Sequence, residues 1–307
     1  NRLRMTADYY RKKTTDLLNN VEMPRSSGYT TALRNIGSIR NSGFELQLDG
    51  RIIDRAVKWD LGVNFSLNRS KVLVLSEDKD IFGGELDNTI LKDQLNLMRV
   101  GEPMYVFYGY VEDGYDENGH IVYKNMDDDP AITAADKTII GDPNPDFLVN
   151  LTTAVSYKGF TLSAFFQSSI GNDIYSLSMA AQAYDYGYNG NTLREVYYNH
   201  WTPENPTAKY PNLDQTSYKM SDRFVYDGSF VRLKNLELAY DVPCARSKFI
   251  KRARAYVSAQ NLFTITSYPF WDPDINANGG GSSMIQGVDS YCYPSARTYT
   301  IGCRLTF

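Results

Sequence analysis

The chain is poor in the residues on which most catalytic and metal sites depend. Its 307 residues include only two histidines and three cysteines, and the cysteines lack the spacing of metal ligands. No Ser-His-Asp arrangement can be proposed, and nothing among the many carboxylates singles out an acid and a base. The sequence therefore predicts neither an enzyme nor a disulfide-stabilised scaffold.

Long apolar runs and an excess of positive charge are also missing. No stretch approaches the ~18 consecutive apolar residues of a membrane-spanning helix. The formal net charge is −4, from 32 lysines and arginines against 36 acidic residues, so the chain lacks the basic surface that nucleic acid requires. A helical membrane protein and a nucleic-acid-binding protein are thereby excluded.

Tyrosine is the one residue type in clear excess. The chain has 24 tyrosines and 14 phenylalanines, and 42% of its residues are hydrophobic. Disordered chains combine low hydrophobicity with high net charge, and neither holds here. With a mean hydropathy of −0.42, the chain is either soluble or hides its apolar surface in a two-residue alternation.

Strict alternation of apolar and polar residues recurs along the chain. From Val57 to Asn68 every second residue is apolar, which a helical period of 3.6 residues does not produce. Clear alternation also occurs at 147–157, 160–167 and 298–307, and weaker alternation at 3–9, 44–49, 230–241 and 253–262. The sequence thus predicts about eight β-strands.

The connections between these strands alternate between short and long. Short turns lie near 54–55, 158–159 and 242–252, whereas long connections cover roughly 13–38, 70–144, 171–228 and 263–296. Loops beyond about 12–15 residues are uncommon in compact soluble domains but expected on one side of an outer-membrane barrel. We therefore expect an all-β fold, a transmembrane antiparallel β-barrel with long extracellular loops. The alternative is a secreted or surface β-sandwich that binds carbohydrate.

One run conflicts with a lipid-facing apolar side. Arg232 and Lys234 fall on the same side as Leu236 and Leu238 if alternation is strict. An Arg or Lys on the lipid face at mid-depth costs about 2–4 kcal/mol. Either these two residues lie near a membrane interface, or the register assigned to this strand is wrong.

Several short segments carry a family resemblance. They are residues 8–18 (DYYRKKTTDLL), 35–45 (NIGSIRNSGFE), 141–147 (GDPNPDF), 201–205 (WTPEN), 227–235 (DGSFVRLKN), 258–266 (SAQNLFTIT), and Tyr293-Pro294 ahead of 297–299 (RTY). Their order and spacing extend over essentially the whole chain. The chain resembles the C-terminal barrel half of the SusC/RagA-type TonB-dependent outer-membrane transporters.

This resemblance implies a barrel of about 22 strands filled by an N-terminal plug, of which residues 1–307 would supply the last eight strands. The plug, the TonB-contacting part and the N-terminal strands would be absent from this sequence. The implied function is import of a glycan oligosaccharide or peptide across the outer membrane of a Gram-negative cell. The implied partners are TonB, the membrane lipid and a SusD-like surface lipoprotein that covers the long loops as a lid.

The last strand resembles the signal read by the outer-membrane assembly machinery. Tyr299, Leu305 and the terminal Phe307 lie on one side of the alternating run. The alternative is an ordinary edge strand that happens to end the chain.

Residues 125–136 follow the spacing of a calcium-binding loop, which places oxygen ligands at positions 1, 3, 5, 9 and 12. Those positions hold Asn125, Asp127, Asp129, Thr133 and Asp136. Pro130 replaces the glycine that permits the sharp turn, and an aspartate replaces the bidentate glutamate. The segment is therefore either a Ca²⁺ site or a solvated acidic loop. Just before it, Asn118-Gly119 predicts a hairpin turn.

Aromatic residues cluster in the two later long connections. The candidates for contact with a substrate or a lid are Tyr184, Tyr186, Tyr188, Trp201, Tyr268 and Trp271. Aromatic faces on exposed loops suit sugar rings or peptide side chains, because they combine a large contact area with a polar tip. The alternative is that these rings pack the loops against one another or against a partner protein.

Overall fold

The alternating segments form one antiparallel sheet in the structure, a computed structural model of the chain. It describes residues 2–22, 26, 28, 31–76, 79–88, 91–184, 191–244, 249–275 and 285–307. In chain order, the described strands are β1 (Leu3–Glu22), β2 (Thr31–Asp54), β3 (Val57–Leu75), β4 (Ile81–Phe82), β5 (Glu85–Asn88), β6 (Leu91–Gln94), β7 (Asn96–Met98), β8 (Val106–Gly109), β9 (Glu112–Tyr115), β10 (Ile121–Tyr123), β11 (Thr138–Gly141), β12 (Phe147–Tyr157), β13 (Phe160–Ile170), β14 (Asp173–Ser176), β15 (Val225–Asp227), β16 (Phe230–Val242), β17 (Arg252–Thr266), β18 (Val288–Asp289) and β19 (Thr298–Thr306). The described helices are α1 (Leu177–Tyr184) and α2 (Arg194–Tyr198), with 3₁₀ turns at Ala134–Asp136 and Asp222–Phe224.

The main sheet contains eight strands in the order β1-β2-β3-β12-β13-β16-β17-β19. Each strand pairs with its neighbours along the chain, so the sheet is an up-and-down meander, and all eight predicted strands are present. Its apolar side is open, with Leu162 at 47% and Ile301 at 86% exposure. A β-sandwich would bury that side against a second sheet. The prediction of an antiparallel all-β fold is therefore confirmed, and the sandwich alternative is wrong.

The first predicted long connection, 13–38, is mostly strand. β1 continues to Glu22 and β2 begins at Thr31, and these two residues are partners in the register. The pairing shifts between Thr14 and Leu18, where Asp16 has a φ of 57°. A β-bulge of this kind interrupts the two-residue alternation, which is why the sequence pattern ended too early. β3 likewise extends to Leu75, beyond the predicted limit at 70.

A second bulge resolves the conflict at Arg232. The pairing of β16 with β13 skips Lys234, so that Leu233 pairs with Phe166 and Arg232 pairs with Gln167. Directly opposed residues on neighbouring strands lie on the same side of a sheet. Leu233 therefore joins the apolar side and Arg232 the polar side. The conflict therefore arose from an incorrect register in the sequence prediction for this strand.

The other long connections are folded rather than irregular. The described residues within 76–146, 171–229 and 267–297 form what we call the cap, which follows the ends of the strands opposite the short turns. It contains a four-stranded sheet (β11-β8-β7-β4), a three-stranded sheet (β15-β14-β18) and the pairs β9-β10 and β5-β6. β14 pairs with both β15 and β18, so the second and third segments of the cap share one sheet.

A hydrophobic core of its own holds the cap together. Residues from all three segments contribute buried side chains, among them Leu95, Phe107, Ile121, Tyr175, Leu177, Val196, Met220, Phe224, Ile285 and Val288. The predicted hairpin turn is confirmed between β9 and β10, where the N–H of Gly119 donates to the carbonyl of Asp116 at 3.0 Å. Neither described helix has the length and apolar character needed to cross a membrane.

Candidate functional site

The polar side of the main sheet carries a continuous row of hydrogen-bonding side chains, all but one of them uncharged. Successive partners in the register are Thr6, Gln47, Asn64, Asn150, Gln167, Arg232 and Thr264. We call this set the polar row. It crosses seven neighbouring strands because each run of alternation places its polar residues on the same side.

On each strand, a residue adjacent in sequence to the polar-row member belongs to an apolar row on the opposite side of the sheet. Its members are Met5, Leu48, Val63, Leu151, Phe166, Leu233 and Phe263. Apolar-out and polar-in alternation of this kind is the pattern of strands between lipid and a wet lumen. The sheet is therefore amphipathic at the same level on all seven strands.

Arg232 anchors the last segment of the cap to the polar row. Its side chain is only 2% exposed and pairs with Asp272. It donates from Nε to Thr264 Oγ1 at 2.9 Å and from Nη1 to Ser295 Oγ at 3.2 Å. Burial by itself would raise the pKa of the Asp272 carboxyl, but the backbone N–H groups of Ser295 and Asp274 and the guanidinium hold this pKa below its usual value. Arg232 and Asp272 thus form a buried ion pair.

A small cleft opens on the polar side next to this anchor. Its volume is about 240 Å³. The lining residues that reach it from the sheet and the cap include Pro145, Leu148, Asn150, Gln167, Phe230 and Asp274. The polar row thus continues into a concave site at the end of the sheet where the cap begins.

A larger, more open cavity lies at the other end of the sheet. It measures about 1,090 Å³ and is lined by β1, β2, β3 and β12. Charges of both signs surround it, and Arg51 pairs there with Asp60 at 2.8 Å. A Cβ built on Gly62 lies 2.9 Å from the Asp49 carboxylate, so the Asp49 side chain approaches the backbone closely at this glycine.

The predicted aromatic residues fall into two groups. Tyr184 is 4% exposed and stacks on Tyr218 with a centroid distance of 3.7 Å. Tyr268 is also 4% exposed, and its hydroxyl donates to the Asp289 carboxylate at 2.6 Å. Burial, together with that carboxylate, raises the pKa of Tyr268. For these two tyrosines the structure favours the packing interpretation over an exposed contact surface.

The two predicted tryptophans differ from these tyrosines. Trp271 is 58% exposed and stacks on Phe270 with a centroid distance of 4.7 Å. Trp201 is half-buried, and its indole packs directly on Gly119 in the β9–β10 turn. Tyr186 and Tyr188 lie outside the described residues. Contact of any of these rings with a substrate or lid stays a prediction.

The acidic loop is held by its own backbone. The Asp136 carboxylate accepts from the N–H groups of Met126 and Thr133, each at 2.7 Å, and these donors hold the pKa of Asp136 below its usual value. Asn125, Asp127 and Asp129 each accept from the N–H two residues further on. No group of three or more His, Cys, Asp or Glu that could hold a metal ion occurs within the described ranges. Both alternatives, a Ca²⁺ site and a solvated acidic loop, therefore stay untested.

The predicted assembly signal lies on the edge strand of the sheet. Tyr299 is 70%, Leu305 46% and Phe307 72% exposed. β19 pairs with β17 from Arg252↔Thr306 to Gln260↔Thr298 and has no partner on its other edge within the described part of the sheet. Recognition by assembly machinery is an untested prediction.

Sequence reasoning missed an ion pair that joins two segments of the cap. Arg223 donates from Nε to Glu112 at 2.7 Å, and the Ser221 hydroxyl donates to the same carboxylate at 2.6 Å. The Glu112 and Arg223 side chains are only 10% and 16% exposed. No local signal marks this pair, because 111 residues separate its members.

An amphipathic meander with short turns at one end and folded connections at the other defines a segment of an outer-membrane β-barrel protein. The family profile described as TonB dependent receptor-like, beta-barrel matches residues 1–262. The chain belongs to this family, whose members are outer-membrane proteins.

Individual relatives agree with this assignment. The chain is 33% identical to TonB-dependent receptor P3 of Formosa agariphila, covering 100% of this chain and 32% of that protein. It is 29% identical to TonB-dependent receptor SusC of Bacteroides thetaiotaomicron, covering 98% and 30%. A solved structure of the RagAB peptide transporter superposes with a TM-score of 0.82 at 27% identity, covering 100% of this chain and 33% of the other. The chain thus spans about a third of the length of the relatives it matches.

Proposed function

We propose that the chain forms part of the wall, polar lumen and extracellular cap of a transporter that imports a glycan oligosaccharide or a peptide across the outer membrane. The single observation that carries this proposal is the superposition on the RagAB peptide transporter, which includes the cap as well as the sheet and covers 100% of this chain. The amphipathic rows supply the physical basis: one side of the sheet suits lipid and the other a hydrated path.

Partners follow from the same relatives. A SusD-like lipoprotein would close over the cap as a lid, and TonB would supply energy through a part of the protein other than residues 1–307. Exposed aromatic side chains of the cap, including Trp271, Tyr197 and Tyr198, give the cap the apolar contact area that protein interfaces favour. The same rings would serve ligand contact, so the two roles need separate tests.

Gene deletion tests the transport proposal directly. The deletion strain should fail to grow when one glycan or peptide is the sole carbon or nitrogen source, and should grow normally on the corresponding monomer. Deletion of tonB should have the same effect. Growth of the deletion strain on every glycan and peptide that the parent uses would contradict the proposal.

Purification of the intact protein tests the partner. A tagged protein extracted from outer membranes in mild detergent should retain a surface lipoprotein in a fixed stoichiometry. Trp271→Ala should weaken this association if the cap forms the interface. Phe249→Ala is the matched control, because Phe249 is 82% exposed but lies in the short connection between β16 and β17.

A further inference from the structure

The cleft below the cap has a chemistry that points to one kind of ligand. We propose that it is a subsite for a single uncharged sugar unit of the imported glycan, held by the side-chain amides of Asn150 and Gln167. This inference rests on the proposed transport function and selects a substrate class within it.

Two side-chain amides converge on the cleft with unused hydrogen-bonding capacity. Asn150 and Gln167 are direct partners in the β12–β13 register, and both line the cleft. Each is half-buried, and neither side chain hydrogen-bonds another residue within the described ranges. An amide presents both donors and an acceptor, and so does each pair of neighbouring hydroxyls on a sugar ring.

Apolar groups form another part of the wall. Leu148 is 38% exposed, and Pro145 and Ile275 join it in the lining. A pyranose ring has hydroxyl groups along its edges and C–H groups on its faces. The amides of the cleft suit the edges, and its aliphatic side chains suit a face. Trp271 begins the loop segment that contributes Pro273, Asp274 and Ile275 to the cleft, and its exposed ring is a further surface of the same type.

The charges around the cleft exclude an anionic unit. Among the described residues that line it, none is lysine, arginine or histidine, whereas Asp274 contributes a carboxylate. The nearest cation in the polar row, Arg232, is 1% exposed and committed to Asp272 and Asp274. A uronic acid, a sulfated sugar or the C-terminal carboxylate of a peptide would lose water here, find no cation in the lining and face the Asp274 carboxylate, which is unfavourable.

The size of the cleft limits it to one unit. Pockets that enclose a whole drug-sized ligand measure about 300–1,000 Å³, and this one measures about 240 Å³. The cleft would therefore hold one residue of a longer glycan, while the rest of the chain extends towards the cap.

Binding to the intact, detergent-purified protein with its lipoprotein partner tests the proposal. The probes are neutral oligosaccharides (maltohexaose, cellohexaose, mannohexaose and xylohexaose), the anionic hexagalacturonate, and a mixture of uncapped peptides, each followed by calorimetric titration. We expect a neutral probe to bind and hexagalacturonate not to bind. The double variant Asn150→Ala/Gln167→Ala should weaken binding of the neutral probe at least tenfold.

The matched control is Asn64→Ala. Asn64 belongs to the polar row and is the β3 partner of Asn150, but it does not line the cleft, so its loss should change binding less than twofold. A second variant, Asn150→Lys, replaces the short amide with a longer side chain that carries a cation. It should gain measurable affinity for hexagalacturonate, which keeps the test informative if the double alanine variant folds poorly.

Several outcomes would overturn the subsite while leaving the transport proposal intact. In the first, a neutral oligosaccharide binds the double variant as tightly as it binds the wild-type protein. In the second, the wild-type protein binds hexagalacturonate or peptides and none of the neutral oligosaccharides. If the intact protein binds no glycan and no peptide, and its deletion has no growth phenotype, the transport proposal fails together with the subsite.

Discussion

The ring of Tyr10 lies over Gly43, its partner on the neighbouring strand, and fills the space that a side chain at position 43 would occupy. From there the tyrosine hydroxyl reaches across β2 and donates to the side chain of Asn68 on β3 at 3.0 Å. One side chain thus ties three strands together on the polar side of the sheet. The ring of Tyr256 likewise lies over Gly302, its partner on β19.

Gly43→Ala should therefore destabilise the sheet. A Cβ at this position would meet the Tyr10 ring and come within 2.6 Å of the Leu67 carbonyl oxygen. Overpacking of this kind costs about 1–3 kcal/mol. The measurement is the denaturant concentration at which half of the intact protein unfolds in detergent. Unfolding is monitored as loss of the electrophoretic mobility of the folded form.

Gly50→Ala is the matched control, because it lies in the same strand and the nearest atom to its Cβ is 3.5 Å away. Tyr10→Ala in the Gly43→Ala background should recover part of the loss, since it removes one of the two clashes. Equal midpoints for Gly43→Ala and Gly50→Ala would show that the tyrosine does not occupy this space in the folded protein.

Arg232→Ala should be far more damaging than loss of an exposed ion pair. It leaves the buried Asp272 carboxylate without its cation, and breaking a buried pair costs about 3–5 kcal/mol. Arg69→Ala is the control, because Arg69 and Asp146 are 2.6 Å apart but more than half exposed, and surface pairs contribute little.

The Arg232→Ala effect should concentrate in residues 267–275 and 285–297, which the arginine fastens to the sheet through Asp272 and Ser295. Hydrogen-exchange mass spectrometry measures this as lost protection in those peptides. Uniform loss over the whole sheet, with no excess in this segment, would contradict the anchoring role.

Asp136 should make the acidic loop sensitive to low pH. Its pKa is lowered by backbone donors in the folded loop, so its contribution to stability is present above the usual pKa of 3.8 and is lost as the pH falls below that value towards the folded pKa. Exchange protection of residues 125–137, corrected for intrinsic rates, should fall as the pH is lowered below 3.8.

Asp136→Asn should remove most of this pH dependence, and Asp128→Asn should not, because Asp128 is an exposed neighbour in the same loop. The same measurement tests the metal. Since the loop oxygens already accept backbone N–H groups, we expect EDTA to leave protection unchanged. A clear gain of protection with Ca²⁺ that Asp136→Asn abolishes would instead establish a calcium site.

Gly119→Ala should loosen the contact between the first two segments of the cap. Its Cβ would enter the Trp201 indole, and its φ of 79° adds strain of its own. Gly114→Ala separates the two effects, because Gly114 lies in the same hairpin with a φ of 93° and has no atom within 4 Å of its Cβ.

We therefore expect faster limited proteolysis of the cap in Gly119→Ala than in Gly114→Ala. The difference should largely disappear in a Trp201→Ala background, because the clash is then gone while the backbone strain remains. Equal cleavage rates for the two glycine variants would mean that Trp201 does not pack on this turn.

The strands themselves could be predicted because a two-residue period is a local property. In β12 and β13 each residue faces lipid or lumen according to its place in the alternation, and the register runs from Phe147↔Ile170 to Tyr157↔Phe160 without interruption. The family resemblance was likewise visible in short segments such as 227–235. Strand prediction from alternation failed where a bulge breaks the two-residue period, at Asp16 and at Lys234.

The tertiary structure decided everything that depends on residues far apart in the chain. In the sequence Arg232 looked like a charge on the apolar side of a strand. In the structure the bulge at Lys234 places it on the polar side, where it pairs with Asp272, 40 residues further along the chain. Tyr184 is buried because Tyr218 and Phe224 cover it. Alternation specifies which side of a strand is apolar, but burial, ion pairing and cleft shape arise only when distant segments pack together. The amphipathic barrel wall could therefore be predicted from the amino-acid sequence, whereas the folded cap and the cleft beneath it could not.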